Sequence, residues 1–314
     1  MLGFTPLASN ALADDIGFAV YELIVDAGSF VSTGQDVNFN KGYALSADNG
    51  VFTVTGQTVD INKAVDLTAD AASFTVSGQT VDINKSVDLT VIAGSFTVSG
   101  QTVDINKAVY LTANAASFTV SGQTVDLDRN FDFSVSAGLF TTIGQDVEFF
   151  SVTSLAADAG SFTLAGQEAA LTIRDNFIVD DGGFNLSYQD ATLSAQFILE
   201  AGGETYSVST QDATFIRDLS LDARQGTFIT TPQDKVFNLS KIAGVGEFDL
   251  TGQSTGISYP LQVDAGDFNL SGQTTVFGVT LFAGTASYAL IGQAANTNTR
   301  VSSGEGSFSL TGQD

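Results

Sequence analysis

Residues 72–93 read ASFTVSGQTVDINKSVDLTVIA, and their alternation decides the fold. Phe74 and Val76 alternate with Thr75 and Ser77, the period of two that a half-buried strand requires. Gly78 interrupts the pattern, as a corner that needs positive φ or leaves no room for a Cβ would. Beyond it the inward parity flips, and Val81 and Ile83 become the apolar pair. Asn84 and Lys85 read as a second corner, and Val87 and Leu89 as a third strand. A small residue then stands seven before the next glutamine, as at Gly28, Gly50, Gly94, Gly138 and Gly160, with Glu204 the misfit.

The same unit recurs along the chain. Gln35, Gln57, Gln79, Gln101, Gln123, Gln145, Gln167, Gln189, Gln211 and Gln233 are each 22 residues apart. Gln253, Gln273, Gln293 and Gln313 continue at a spacing of 20. An aromatic stands five residues before each: Phe30, Phe52, Phe74, Phe96, Phe118, Phe140, Phe162, Phe184, Tyr206, Phe228, Phe248, Phe268, Tyr288 and Phe308. The residue before each glutamine is Gly except at Tyr188, Thr210 and Pro232. A fixed period of this length marks a repeat architecture, in which each unit buries its apolar face only against its neighbours.

Two all-β architectures satisfy the pattern. Three short strands and three corners suit one coil of a parallel β-solenoid, with equivalent residues stacked about 4.8 Å apart. The aromatics then form an internal stack and the glutamines an amide ladder, each side chain bonding to those above and below. The alternative is an antiparallel hairpin repeat, turning at Asp26-Ala27-Gly28 or Asp158-Ala159-Gly160, with several chains intertwined. The solenoid is the reading adopted, although like charges favour the alternative. Asp60, Asp82, Asp104 and Asp126 share one column and Lys63, Lys85 and Lys107 another, and stacked like charges repel.

The organisation reads as residues 1–16 outside the repeat, a cap or anchor peptide; 17–233 as 22-residue repeats; and 234–314 as 20-residue repeats. The copies between Phe52 and Asp126 are nearly identical, each FTVSGQTVD or FTVTGQTVD, as recent duplication would leave them. The last repeat stops at Asp314 without a polar capping unit, so an abutting partner is expected there, and a homo-oligomer with it.

Composition limits the function. The chain has no Cys and no His, so disulfides, imidazole or thiolate metal sites and Ser-His or Cys-His catalysis are excluded. Its net charge of −24 is wrong for nucleic acid and for an anionic membrane surface, and it suits a soluble, self-repelling surface. No apolar run is long enough to insert in a membrane as a helix. The N-terminus carries Asp14 and Asp15 and no Lys or Arg, a poor secretory signal.

Carboxylate chemistry is all that remains. Asp60/Asp66 and Asp82/Asp88 could form glycosidase pairs, but they repeat, whereas a catalytic pair should be singular. Asp126 and Asp128 with Asp60 and Asn62 could offer oxygen ligands to Ca²⁺, without the loop pattern of a known calcium motif. Neither is adopted, and the reading is of no catalytic, cofactor or metal site. Thr53/Thr55, Thr75/Ser77, Thr97/Ser99 and Thr119/Ser121 form an outward Thr/Ser stripe that resembles those of ice-binding solenoids. Thr and Ser are also ordinary outward strand residues.

The unit DAGSFTLAGQ at 158–167, with LTGQ at 250–253 and 310–313, resembles a repeat in virion proteins of tailed bacteriophages. The opening LGFTPLASNAL resembles their N-terminal segment. The resemblance implies a place on a phage particle and no activity. The expected function is a non-enzymatic fibre, spike or decoration protein, joined to other virion proteins by its N-terminus. The alternatives are a tailspike that binds or cleaves a host surface glycan, and a bacterial surface adhesin or filament subunit.

Overall fold

The protein is a parallel β-solenoid. In the computed structural model, most of residues 23–312 are described; the exceptions are 26–27, 40–43, 48, 63–65, 85–87, 107–109, 129–131, 180, 196–197, 202–204, 217–218, 224–225, 232–233, 238, 244–245, 258–260, 264–265, 278–279, 284, 286, 298–299 and 304–306. The N-terminal segment 1–16, the Lys63, Lys85 and Lys107 column, Val87, Glu204, Pro232, Gln233 and Gln313 therefore lie outside the described residues.

One coil is built from the strands Ser73–Ser77, Thr80–Asn84 and Asp88–Val91. Each pairs in parallel with its copy in the next coil: Phe74 with Phe96, Val81 with Val103 and Leu89 with Leu111. Among the described residues every strand pair is parallel, in one 29-stranded sheet and a second of three strands. The antiparallel hairpin alternative is thereby overturned. Its charge argument left out the buried columns and parallel strand pairing that hold the acids in register.

Alternation places the core. In Ser73–Ser77 and Thr80–Asn84, Phe74, Val76, Val81 and Ile83 are fully buried and the residues between them are partly exposed. The third strand adds a column not singled out by sequence, in which Ala69, Val91, Ala113 and Val135 close the core. The aromatic column runs through its centre. Phe74, Phe96 and Phe118 stack at 4.8 Å with interplanar angles of 3° and 2°. In the shorter coils the rings tilt, with Phe228–Phe248 at 6.2 Å and 45° and Phe268–Tyr288 at 5.9 Å and 44°. Tilted ring pairs tolerate a longer centroid separation than parallel ones.

The corner before each glutamine is crowded, not left-handed. A Cβ on Gly78 would lie 3.0 Å from the Thr80 carbonyl oxygen and 3.1 Å from that of Gly56. Among the described glycines only Gly28 has positive φ. At this corner the main chain carries the stacking bonds. The Gln57 carbonyl accepts the N–H groups of Gln79 (2.8 Å) and Thr80 (3.0 Å), and Gln79 does the same for the next coil. The side chains of Gln35, Gln57, Gln79, Gln101, Gln123, Gln145, Gln167, Gln189 and Gln211 are exposed beside this main-chain ladder.

The period changes at the second corner. Thr214 pairs with Val236 at a 22-residue offset, and Leu219 pairs with Leu239 at 20. The offset reverts to 21 at Ser220↔Lys241 through a local irregularity, and settles at 20 from Thr227↔Glu247.

The sixth coil reverses its polarity, as the Val31/Ser32 and Ile229/Thr230 positions also do. Thr142 points inward, stacked between Val120 and Leu164, fully buried and with no hydrogen-bond partner for its Oγ1 among the described residues. Its neighbour Ile143 is half exposed where the preceding coils carry Thr or Ser. Removing a buried unmatched hydroxyl relieves a desolvation penalty of about 1–3 kcal/mol. The isosteric Thr142→Val substitution should therefore raise the urea midpoint. A lower midpoint would show that the hydroxyl is satisfied.

Candidate functional site

The second strand of each coil presents an acidic face. Its outward positions in successive coils pair Asp60 with Asp82, Asp82 with Asp104, Asp104 with Asp126 and Asp126 with Glu148. The acid then shifts by two residues along the strand. Asp146 pairs with Glu168, Glu168 with Asp190, Asp190 with Asp212 and Asp212 with Asp234. Every coil from Asp60 to Asp234 thus carries a carboxylate on this strand. Where the two columns overlap, Asp126, Asp146, Glu148, Glu168 and Asp190 line a shallow open groove of ≈ 300 Å³.

Sequence reasoning found the first column and missed the second. The signal was present: an acid follows directly after Gln145, Gln167, Gln189, Gln211 and Gln233. The residues proposed as calcium ligands are not brought together. Asp60 is three coils from Asp126, about 14 Å at the strand spacing, because equivalent positions stack instead of converging. Among the described residues no cluster of three acids is arranged to hold a metal ion. Asp82 and Asp88 belong to successive strands, Thr80–Asn84 and Asp88–Val91.

Burial, with nearby carboxylates adding to it, raises the pKa of three members of the column. Burial, the charges of Asp60 and Asp104, and a side-chain hydrogen bond with Asp60 raise the pKa of Asp82. Burial and the Asp128 charge raise Asp104 against a lowering hydrogen bond from Asn106. Asp126 is pushed up to about 6, first by burial and then by Asp104, Glu148 and Asp128. One oxygen each of Asp104 and Asp126 is buried with no hydrogen-bond partner among the described residues.

The consequence for stability has a definite sign. A carboxyl whose pKa is raised on folding binds protons more tightly in the folded state. Its favourable contribution is complete below the ordinary aspartate value of 3.8 and is lost as pH rises through about 6. The melting temperature should accordingly be higher at pH 5 than at pH 7.5. Asp126→Asn should stabilise the protein at pH 7.5 and converge with wild type near pH 4. A variant less stable than wild type at pH 7.5 would show that ionised Asp126 is favourably held.

Comparison of the chain with protein-family models, with curated proteins and with solved structures returned no match.

Proposed function

We propose that this chain is a non-enzymatic structural protein of a bacteriophage particle, a fibre, spike or decoration element held by its N-terminal residues. The observation that carries this reading is the repeating parallel register, in which each coil stacks only on its neighbours and an aromatic column runs from Phe30 to Tyr288. Such a fold converts repeat number into length and presents uniform faces along that length. The repeat at 158–167 and its likeness to tailed-phage virion repeats supply the place. The net charge of −24 keeps an elongated exposed surface soluble.

Cryo-electron microscopy with peptide mass spectrometry of purified particles tests the proposal. The chain should occur at a fixed copy number on the particle, as rods with a repeat of about 4.8 Å. Its absence from particles, with recovery as a homopolymeric cell-surface filament, would overturn the virion role in favour of an adhesin.

The groove favours one second reading, a glycan-cleaving tailspike. Asp126 and Glu148 are register partners on adjacent strands, a spacing close to the ~5 Å that separates the carboxyl groups of retaining glycosidases. Asp126, held protonated up to about 6, would be the acid and Glu148 the nucleophile. On this reading, host surface glycan is shortened by wild type and is left intact by both Asp126→Asn and Glu148→Gln. Equal release by wild type and both variants would exclude it.

A further inference from the structure

The outward side of the first strand is the opposite of the acidic face. From Ser29–Thr33 to Thr227–Thr231 its three outward positions per coil carry no charged residue, in a chain of net charge −24. They are mostly Ser and Thr, joined between coils by bonds such as Ser95 Oγ to Ser73 Oγ at 3.1 Å. Charge returns only in the shorter coils, at Glu247, Asp249 and Asp267. This neutral face also holds exposed apolar side chains at two places. Val31 and Val51 are 60% and 42% exposed in its first two coils, and Ile143 and Leu139 are 50% and 40% exposed in its sixth.

We infer that this face binds a second copy of the chain, packed face to face about a twofold axis. Three observations select that occupant. Acidic surfaces of two copies repel each other, and this face carries no charge over ten consecutive coils. A twofold axis sets the Val31/Val51 end of one copy against the Leu139/Ile143 coil of the other, so both apolar patches are covered at once. The overlap then spans the seven coils from Ser29 to Ala165. At strand spacings it measures roughly 34 by 16 Å, or about 550 Å² per copy, and the total clears the ~1,000 Å² of a specific interface. Flat Ser/Thr faces with small side chains allow two sheets to approach at the ~10 Å of a packed sandwich. The axis passes near Ser95–Ser99, the middle coil of the seven.

The inference is independent of the particle reading, and its test needs only the purified chain. Sedimentation velocity at 1–100 μM should show a dimer. Thr97→Glu and Ile143→Asp should each shift the population to monomer by at least tenfold in Kd, with unchanged circular dichroism. Thr102→Glu, placed on the acidic strand, should leave the dimer intact. The chain has no native cysteine, so Thr97→Cys alone reports proximity, and mild oxidation should crosslink it across the axis while Thr102→Cys stays uncrosslinked. A wild-type monomer at every concentration would overturn the inference and leave the face to another occupant, an ice surface included. A dimer that persists in Thr97→Glu and crosslinks through Thr102→Cys would overturn it as well, by placing the interface elsewhere.

Discussion

Phe96→Ala should cost about 3–5 kcal/mol, the range for deleting a fully buried aromatic. Phe96 is completely buried, with the rings of Phe74 and Phe118 each 4.8 Å from its own. Deletion strips both neighbouring rings of a stacking partner, worth about 0.5–1.5 kcal/mol per pair beyond burial. The void cannot close by collapse, because coil separation is fixed by main-chain bonds such as Gln101 N–H to the Gln79 carbonyl at 2.8 Å. Urea titration followed by circular dichroism measures the loss. Because each coil touches only its neighbours, the variant should also unfold less cooperatively, with a shallower transition. Thr97→Ala, one residue along and pointing outward, should change the midpoint little. A loss below about 1 kcal/mol for Phe96→Ala would mean that the ladder of main-chain bonds, not the ring column, holds the coils together.

The second large effect is expected at Gly94. A Cβ there would overlap the carbonyl oxygen of Ala72 and lie 2.7 Å from its nitrogen. That same carbonyl accepts the N–H of Ser95 at 2.9 Å, so it cannot swing away without breaking the stacking bond. Gly94→Ala should therefore destabilise by on the order of 3 kcal/mol, the upper end for overpacking. Because the clash is with main chain, adding Ala72→Gly should not rescue it. Gly78→Ala meets its nearest atoms at 3.0 Å or more and should cost less. Thermal melts of the three proteins separate these cases; equal losses at Gly78 and Gly94 would show that both corners relax alike.

The repeat made most of the fold legible. An aromatic and a glutamine at constant spacing fixed the coil length, and the parity flip at Gly78 separated two strands whose inward residues are as read. Strand direction was read correctly as parallel, but from three short strands and three corners fitting one coil, because alternation within a strand is the same in parallel and antiparallel sheets. The Asp60, Asp82, Asp104 and Asp126 column argued the wrong way, since repulsion between partly exposed carboxylates is outweighed by the buried columns and the parallel strand pairing beneath them. The glutamine column was read as side-chain bonding; the main-chain bonds that join the coils at that corner are a further element, which sequence cannot display. The acidic groove was missed for a simpler reason. Its two columns are offset by two residues, and they become neighbours only where the register of Asp126↔Glu148 meets that of Asp146↔Glu168.

The pairing of Phe52, Phe74, Phe96 and Phe118 has a consequence for fidelity of assembly. Within this stretch each strand meets a neighbour of nearly its own sequence, so a strand displaced by one whole coil finds an equivalent partner. The displaced form loops out 22 residues and loses a single layer, while every remaining side chain keeps a native-like neighbour. Local complementarity therefore cannot tell the correct alignment from the skipped one. Discrimination rests on the flanks, where Thr142, Ile143 and Phe150 set the coil of residues 138–157 apart from the near-identical coils before it. That odd coil acts as an index mark: a chain that has skipped a layer upstream must either carry its loop permanently or misplace the mark.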